Sequence, residues 1–384
     1  MNRYVIRNKD LVVAVIENTD IPSDSFSISS LNRDIPYISR LPFLQSDDLL
    51  NNWLDKRQSH IGRRNMVDLF KAAGINTITD YIQVSKCVSL NDTFWIAEED
   101  SKLTWRDVSP YSNPTNSKMS NLAWGIKSEA FLTSSPSPEY STDGMSMKCW
   151  RASNKDIYLL KSEGGLAELQ YSNVYSEYFA CQVASALGLE WYIKYGISSL
   201  HGVVASSCKL FTDESLGFLP IGRYSKDAGH IDDDLEILSS LPNPDLNIDR
   251  YKKMLLFDSL IFNMDRHSGN YGFYINNDTY EIQGLAPIFD NDNALFNKIS
   301  LKGRDNEYIA DAIRSLTPRT YIGHSFIEQA GRCITDDMHS QLKEISLSFE
   351  FRNHPRYPVD AERLKKMSQL VRWQAKQILR AILG

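Results

Sequence analysis

"NMDRHSGNYG", residues 263–272, sets Asp265, Arg266 and His267 side by side, with Asn270 five positions after Asp265 and two glycines close by. The stretch is too polar for a core strand and too varied for a plain turn. It follows the apolar run "MLLFDSLIF" (254–262) and precedes the strand-like "YGFYI" (271–275), so a loop pinned at both ends is expected. Twenty-five residues after Asp265 stands Asp290, in "APIFDNDN". The apolar Pro287, Ile288 and Phe289 deliver that carboxylate to a strand end.

An acid, an amide five residues later and a second acid downstream suit phosphoryl transfer. That reaction needs a carboxylate near the attacking hydroxyl, hard oxygen ligands for Mg2+ and a cation on the non-transferred phosphates. Asp265 can orient the hydroxyl and accept its proton. Asn270 and Asp290 can give the metal a neutral and a charged oxygen. Protein kinases use the same grammar, D-x-x-x-x-N and then a second Asp. His267 stands beside Asp265 as a second catalytic candidate, against the commoner role of a hydrogen-bonded structural histidine. Arg266 either holds a phosphate or ties the loop to a carboxylate. Asp292 is either a second metal ligand or an ordinary loop acid.

The cation is expected upstream on a strand. "DIYLLKSEGG" (156–165) offers Lys161, and Glu177 in the following helix offers an ion-pair partner. One hairpin earlier, "YSTDGMSMK" (140–148) offers Ser141, Thr142, Gly144 and Lys148 as a phosphate loop. Each match alone also reads as a turn, a solvated lysine or a surface acid. Loop, Lys, helix Glu, D-x-x-x-x-N and Asp in that order are far more specific than any one of them.

Working outward, 384 residues are enough for two lobes with a cleft between them. Hydrophobic residues make up 42% and charged residues 23%, as in ordinary globular chains. With 42 basic and 48 acidic residues the net charge is −6, which disfavours direct nucleic-acid binding. The five cysteines form no CxxC pair, which argues against a zinc cluster and a disulfide framework and fits a reducing cytoplasm. No run approaches the roughly 20 apolar residues of a membrane span. "LVVAVI" (11–16) reads as a buried strand, not as a signal peptide.

Residues 1–125 form an N-terminal accessory region. Its strand candidates "YVIR", "LVVAVI" and "TFWIAEE" alternate with helices at "DDLLNNWLDKRQ", started by Asp47 or Asp48, and "RRNMVDLFKAAG", ended by Gly74. No basic recognition face follows, so a helix-turn-helix is disfavoured. Ser, Pro, Asn and Thr dominate 109–146 and mark a boundary. Within it, 133–146 is either a plain linker or a self-phosphorylated segment gating the nucleotide site. Residues 126–215 then read as a hairpin-rich lobe and 216–384 as a mostly helical lobe. The fold class expected is α+β and bilobal. A long last helix is expected over 361–383, capped by Asp360.

"FNMDRHSGNYGFY" followed by "LAPIFDN" resembles the HipA-like serine/threonine kinases of bacteria, whose pattern is N-x-D-x-H-x-x-N, a hairpin, then A-P-x-[FY]-D. "YLLKSEGG", "YSEYFACQVASALGL" and "YSTDGMSMKCW" resemble that family's lysine strand, following helix and glycine loop. The resemblance covers about 135–384. It implies ATP- and Mg2+-dependent phosphorylation of a protein Ser or Thr, with Asp265 catalytic, Asn270 and Asp290 on metal and Lys161 on phosphate. It also implies, for some members, a toxin held by a separate antitoxin protein. The single glycine in the loop departs from the family. "DRH" is shared with phosphoinositide kinases, which keeps a lipid or small-alcohol acceptor as the alternative. A nucleotide-binding pseudokinase is the third reading, and its expected loss of a motif acid is not seen.

Overall fold

The computed structural model describes residues 2–19, 24–113, 117–126, 135–163, 172–295, 297–316, 320 and 322–383. Residues 133–134 of the Ser/Pro-rich loop and the glycines after Lys161 lie outside them. Two compact units divide the chain, one of residues 1–161, 209–218 and 274–282, the other of 162–208, 219–273 and 283–384.

The first unit starts with an antiparallel sheet of order β3-β2-β1-β4, formed by β1 (Arg3–Asn8), β2 (Leu11–Thr19), β3 (Ser25–Leu31) and β4 (Phe94–Glu98). β1 pairs with β2 from Arg3↔Glu17 to Asn8↔Leu11, with a register shift between Ile6 and Arg7. "LVVAVI" is a strand, as expected, with Val13, Ala14 and Ile16 buried. Helices Asp47–Arg57 and Met66–Ala73 stand where the periodicity places them, the second closed by Gly74 at φ 73°. The start of the first is corrected by one residue. Ser46 is the cap, its hydroxyl accepting the Leu49 N–H at 3.2 Å. Asp47 instead accepts the Ile28 N–H from β3 at 2.8 Å.

β5 (Met147–Ser153) and β6 (Asp156–Ser162) form the expected hairpin around Asn154. Residues 274–282 are fastened to the N-terminal strands. Asn8 Nδ2 donates to the Asn277 carbonyl at 2.6 Å, Lys9 pairs with Asp278 at 2.5 Å, and Arg40 donates to the Thr279 carbonyl at 2.9 Å.

The second unit holds the hairpin of β7 (Tyr195–Leu200) and β8 (Val203–Lys209) and most of the helices. A further sheet, of order β11-β10-β9, contains β9 (Leu216–Pro220), β10 (Gly272–Asn276) and β11 (Ile282–Leu285). Helix Pro244–Ile261 runs through the core, every residue from Met254 to Ile261 being buried. Helices Ile231–Ser239, Phe326–Cys333 and Ala361–Leu383 pack on it. Asp360 caps the last of these, accepting the Arg363 N–H at 3.1 Å, as expected. Among the described residues no helix is long and apolar enough to cross a membrane.

Candidate active site

The site is built from the end of helix Pro244–Ile261. Phe262 takes the left-handed conformation (φ 54°) and stops the helix, so the chain turns into "NMDRHSGN". Asn263 shapes the turn. Its Nδ2 donates to Asp258 Oδ1 at 2.8 Å, and its Oδ1 accepts the Asp265 N–H at 3.1 Å.

Arg266 settles which of its two readings holds. The side chain is 2% exposed and points into the protein. Nε and Nη2 reach the two oxygens of Asp258 at 2.9 and 3.0 Å. Nη1 donates to the carbonyls of Asn270 and Phe289, and Nη2 to Asn291 Oδ1 at 2.7 Å. Burial opposes the guanidinium charge, but Asp258 beside it more than offsets this and holds it above its ordinary range. One arginine therefore fixes the helix end, the 265–270 loop and the 289–291 segment as one piece. It ties the loop to a carboxylate.

Asp265 is thereby held by its neighbours. Its backbone carbonyl accepts Asn270 Nδ2 at 3.0 Å, and its Oδ2 accepts Asn293 Nδ2 at 2.9 Å. Burial pushes the Asp265 carboxyl above the usual carboxylate range. Asp290 and Asp292 push the same way, while His267 and the Asn293 hydrogen bond oppose them. His267 Nδ1 accepts the Gly269 N–H at 3.0 Å, which orients the ring within the loop.

Asp290 arrives as expected from an apolar approach. Ile288 is buried and makes a lone parallel bridge with Tyr192, and Asp290 itself adopts φ 55°. Its N–H donates to the Tyr195 hydroxyl at 3.1 Å. Burial first, then Glu177, pushes that phenol well above its ordinary range, so the hydroxyl stays neutral. Helix Ser172–Ala186 supports the chain beyond, Ser176 and Ser172 donating to the carbonyls of Ala294 and Asn297.

This donor set fits a divalent cation of the hard type. Three carboxylates, Asp265, Asp290 and Asp292, share one electrostatic neighbourhood, and a cation there would relieve their repulsion. The Asn270 amide commits its NH2 to the Asp265 carbonyl, which leaves its Oδ1 as the oxygen for a metal. Among the described residues no three His, Cys, Asp or Glu side chains form a metal cage of their own. Mg2+ needs none, because it keeps waters and takes the rest of its ligands from phosphates.

The architecture has a solved counterpart. HipA of Shewanella oneidensis MR-1, solved with HipB and operator DNA, superposes over 99% of this chain and 96% of its own, with a TM-score of 0.53 at 13% identity. The chain has a HipA-like fold. The resemblance drawn from "NMDRHSGN" and "APIFD" is borne out at that level. Relatedness in sequence adds to it: the serine/threonine-protein kinase CtkA of Helicobacter pylori is 28% identical over 158 residues, 37% of this chain. That match spans about half, 48%, of CtkA's length. The solved CtkA structure covers 62% of this chain and 93% of its own, with a TM-score of 0.45 at 18% identity. No family profile matches.

In this chain the second unit brings together Asp265, His267, Asn270 and Asp290, and it also contains Glu177, 1% exposed on helix Ser172–Ala186. The remaining candidates lie in the first unit. Lys161, buried, ends it on β6. Ser141 Oγ donates to the Val88 carbonyl at 2.6 Å and meets Tyr81 Oη at 2.8 Å. Thr142 Oγ1 donates to the Pro138 carbonyl and accepts Trp150 Nε1. Lys148 Nζ donates to the Asp143 carbonyl at 2.5 Å. A Cβ on Gly144, where φ is 85°, would stand 2.4 Å from that Nζ. These hydroxyls are thus engaged within the turn. The turn is itself clamped by Arg63, fully buried, which donates to the carbonyls of Glu139, Thr142 and Lys148 and pairs with Glu139 at 3.5 Å.

Sequence reasoning passed over Asp258, Asn263, Asn293 and Tyr195. Asp258 had a signal: an acid inside "MLLFDSLIF" is buried by its neighbours and must find a cation. Asn263 had one too, as the first position of N-x-D-x-H-x-x-N, though its role was not read; Asn293 had none, because its partner is set by the folded loop.

Proposed function

We propose that this chain is an ATP- and Mg2+-dependent protein serine/threonine kinase of HipA type. The observation that carries the reading is the Asp265 carboxylate. It is half-buried, aligned by Asn293 and raised in pKa by burial and by Asp290 and Asp292, on a loop locked by Arg266. A carboxylate so placed can take the proton of an attacking hydroxyl. Asn270 and Asp290 would hold Mg2+, which when bound neutralises phosphate charge. Lys161 would hold the nucleotide phosphates. His267 shapes the loop beside Asp265. Kinship with CtkA, a serine/threonine kinase, favours a protein acceptor over a lipid.

Two finer readings follow from the likeness. HipA was solved with HipB, and a separate antitoxin protein is the corresponding partner proposed here, with toxicity as its consequence. The setting proposed is the cytoplasm, in keeping with five free thiols. Self-phosphorylation at Ser137, Ser141 or Thr142 would require local opening, because all three hydroxyls are hydrogen-bonded.

The test is intact mass after incubation with ATP and Mg2+, for wild type, Asp265→Asn and Asp290→Asn, alone and with a generic Ser/Thr protein acceptor. Phosphate added by wild type and by neither variant supports the kinase. Nucleotide bound without transfer to any acceptor would make it a pseudokinase, and absence of nucleotide binding would remove the site as drawn.

A further inference from the structure

The chain carries a net charge of −6, yet one cleft of about 650 Å³ in the second unit is basic. Lys302 and Arg304 line one side, from the chain that continues beyond Asp290. Arg363, Lys365 and Lys366 line the other, from the first turns of helix Ala361–Leu383. Among the described residues Asp360 and Glu362 are the only acids on its wall, so that lining is net positive.

Several cations of this unit are paired. Arg266 holds Asp258, Lys253 holds Asp249 and Asp337, and Arg372 holds Glu350. Among the described residues, none of the five around the cleft forms a salt bridge. Arg363 is half-buried, and burial holds its guanidinium below the ordinary range. The Arg304 guanidinium is set over the Tyr308 ring, 4.4 Å from its centroid. Buried Ile299 and Leu301 anchor the strip on which Lys302 stands. Among the described residues, five cations thus face two acids across this cleft.

We propose that this cleft docks an acidic stretch of the protein that the enzyme phosphorylates. The inference rests on the kinase reading and names a substrate class for it: Ser/Thr proteins with Asp or Glu clustered away from the acceptor residue. Charge complementarity selects the occupant. A polyanionic nucleic acid is disfavoured, because among the described residues no aromatic side chain lines the cleft to stack a base. The cleft's volume suits a few side chains, not a duplex.

The test separates docking from catalysis. Full-length protein, without nucleotide, is titrated by fluorescence anisotropy with a short labelled Ser/Asp/Glu peptide, its Ser/Gln counterpart and a labelled oligothymidylate. The acidic peptide is expected to bind tighter than the neutral one by about tenfold or more, with strong salt dependence. Lys302→Glu with Lys365→Glu, both exposed positions, should abolish that preference. Lys102→Glu, an exposed lysine in the first unit, and Asp265→Asn should both leave it intact. In a phosphotransfer assay on an acidic acceptor, the double reversal should raise KM and spare kcat. Equal binding of the two peptides, insensitivity to the double reversal, or tighter binding of the oligonucleotide would each overturn the proposal. Binding without any phosphotransfer would preserve the docking site and fail the kinase reading instead.

Discussion

Replacing Arg266 by Ala would leave the Asp258 carboxylate buried with the Asn263 amide as its remaining donor. Removing one partner of a buried pair costs about 3 to 5 kcal/mol. Urea unfolding should show that loss, and Arg266→Ala combined with Asp258→Asn should recover part of it. Asp265 gives a prediction with a sign. Its carboxyl is raised by burial first and by Asp290 and Asp292 besides, and it must be ionised to act as a base. The acid limb of kcat should therefore lie above the ordinary Asp range of about 3.9. Asp292→Asn removes a like charge, so it should move that limb to lower pH. The same shift acts on stability. A carboxyl whose folded pKa is raised favours folding most below its unfolded pKa, and this advantage is lost as pH rises through the folded pKa. Asp265→Asn should thus be at least as stable as wild type at neutral pH, with the difference vanishing in acid.

Gly272 joins the active loop to β10. A Cβ there would stand 2.2 Å from the Leu219 carbonyl oxygen and 2.8 Å from the Ile221 nitrogen, both backbone atoms that cannot step aside. Gly272→Ala should cost about 1 to 3 kcal/mol and loosen the Asn270 turn, seen as faster amide exchange in 265–271. Elements were legible in the sequence where period and punctuation agree. Gly74 stops its helix and Asp360 starts the last one. Helix Pro244–Ile261 was recognisable as apolar, but its lack of a polar face hid which neighbours would cover it. The Ser46 cap was missed because Asp47 and Asp48 look equally able, and only β3 shows that Asp47 has another partner. In the site, D-x-x-x-x-N and Asp290 could be singled out because they fall in order with the upstream lysine and loop. Tyr195, Asn291 and Asn293 were not, since each serves the loop from a separate stretch of chain.

At the scale of the whole chain, ligand binding should be visible as stability. A ligand at a hundred times its Kd adds about 2.7 kcal/mol to the folded state. ATP with Mg2+ should raise the Tm of wild type, and Asp290→Asn should lose the Mg2+-dependent part of the rise while keeping a nucleotide-only part. The α+β class was legible from the alternation of hairpins and helices. The composition of the two units was not, because 209–218 and 274–282 join the first unit through contacts such as Asn8 with Asn277, which leave no local pattern.

That interleaving has a consequence for how the protein is made. When Lys161 leaves the ribosome, the first unit still lacks the hairpin tip that Asn8, Lys9 and Arg40 hold. At about 5 to 20 residues per second, on the order of ten seconds pass before that tip is synthesised. For that interval Asn8, Lys9 and Arg40 lack their partners in 277–279, and a chaperone or a paused ribosome can act on that face. A gene cut after residue 161 encodes a first unit that lacks 209–218 and 274–282.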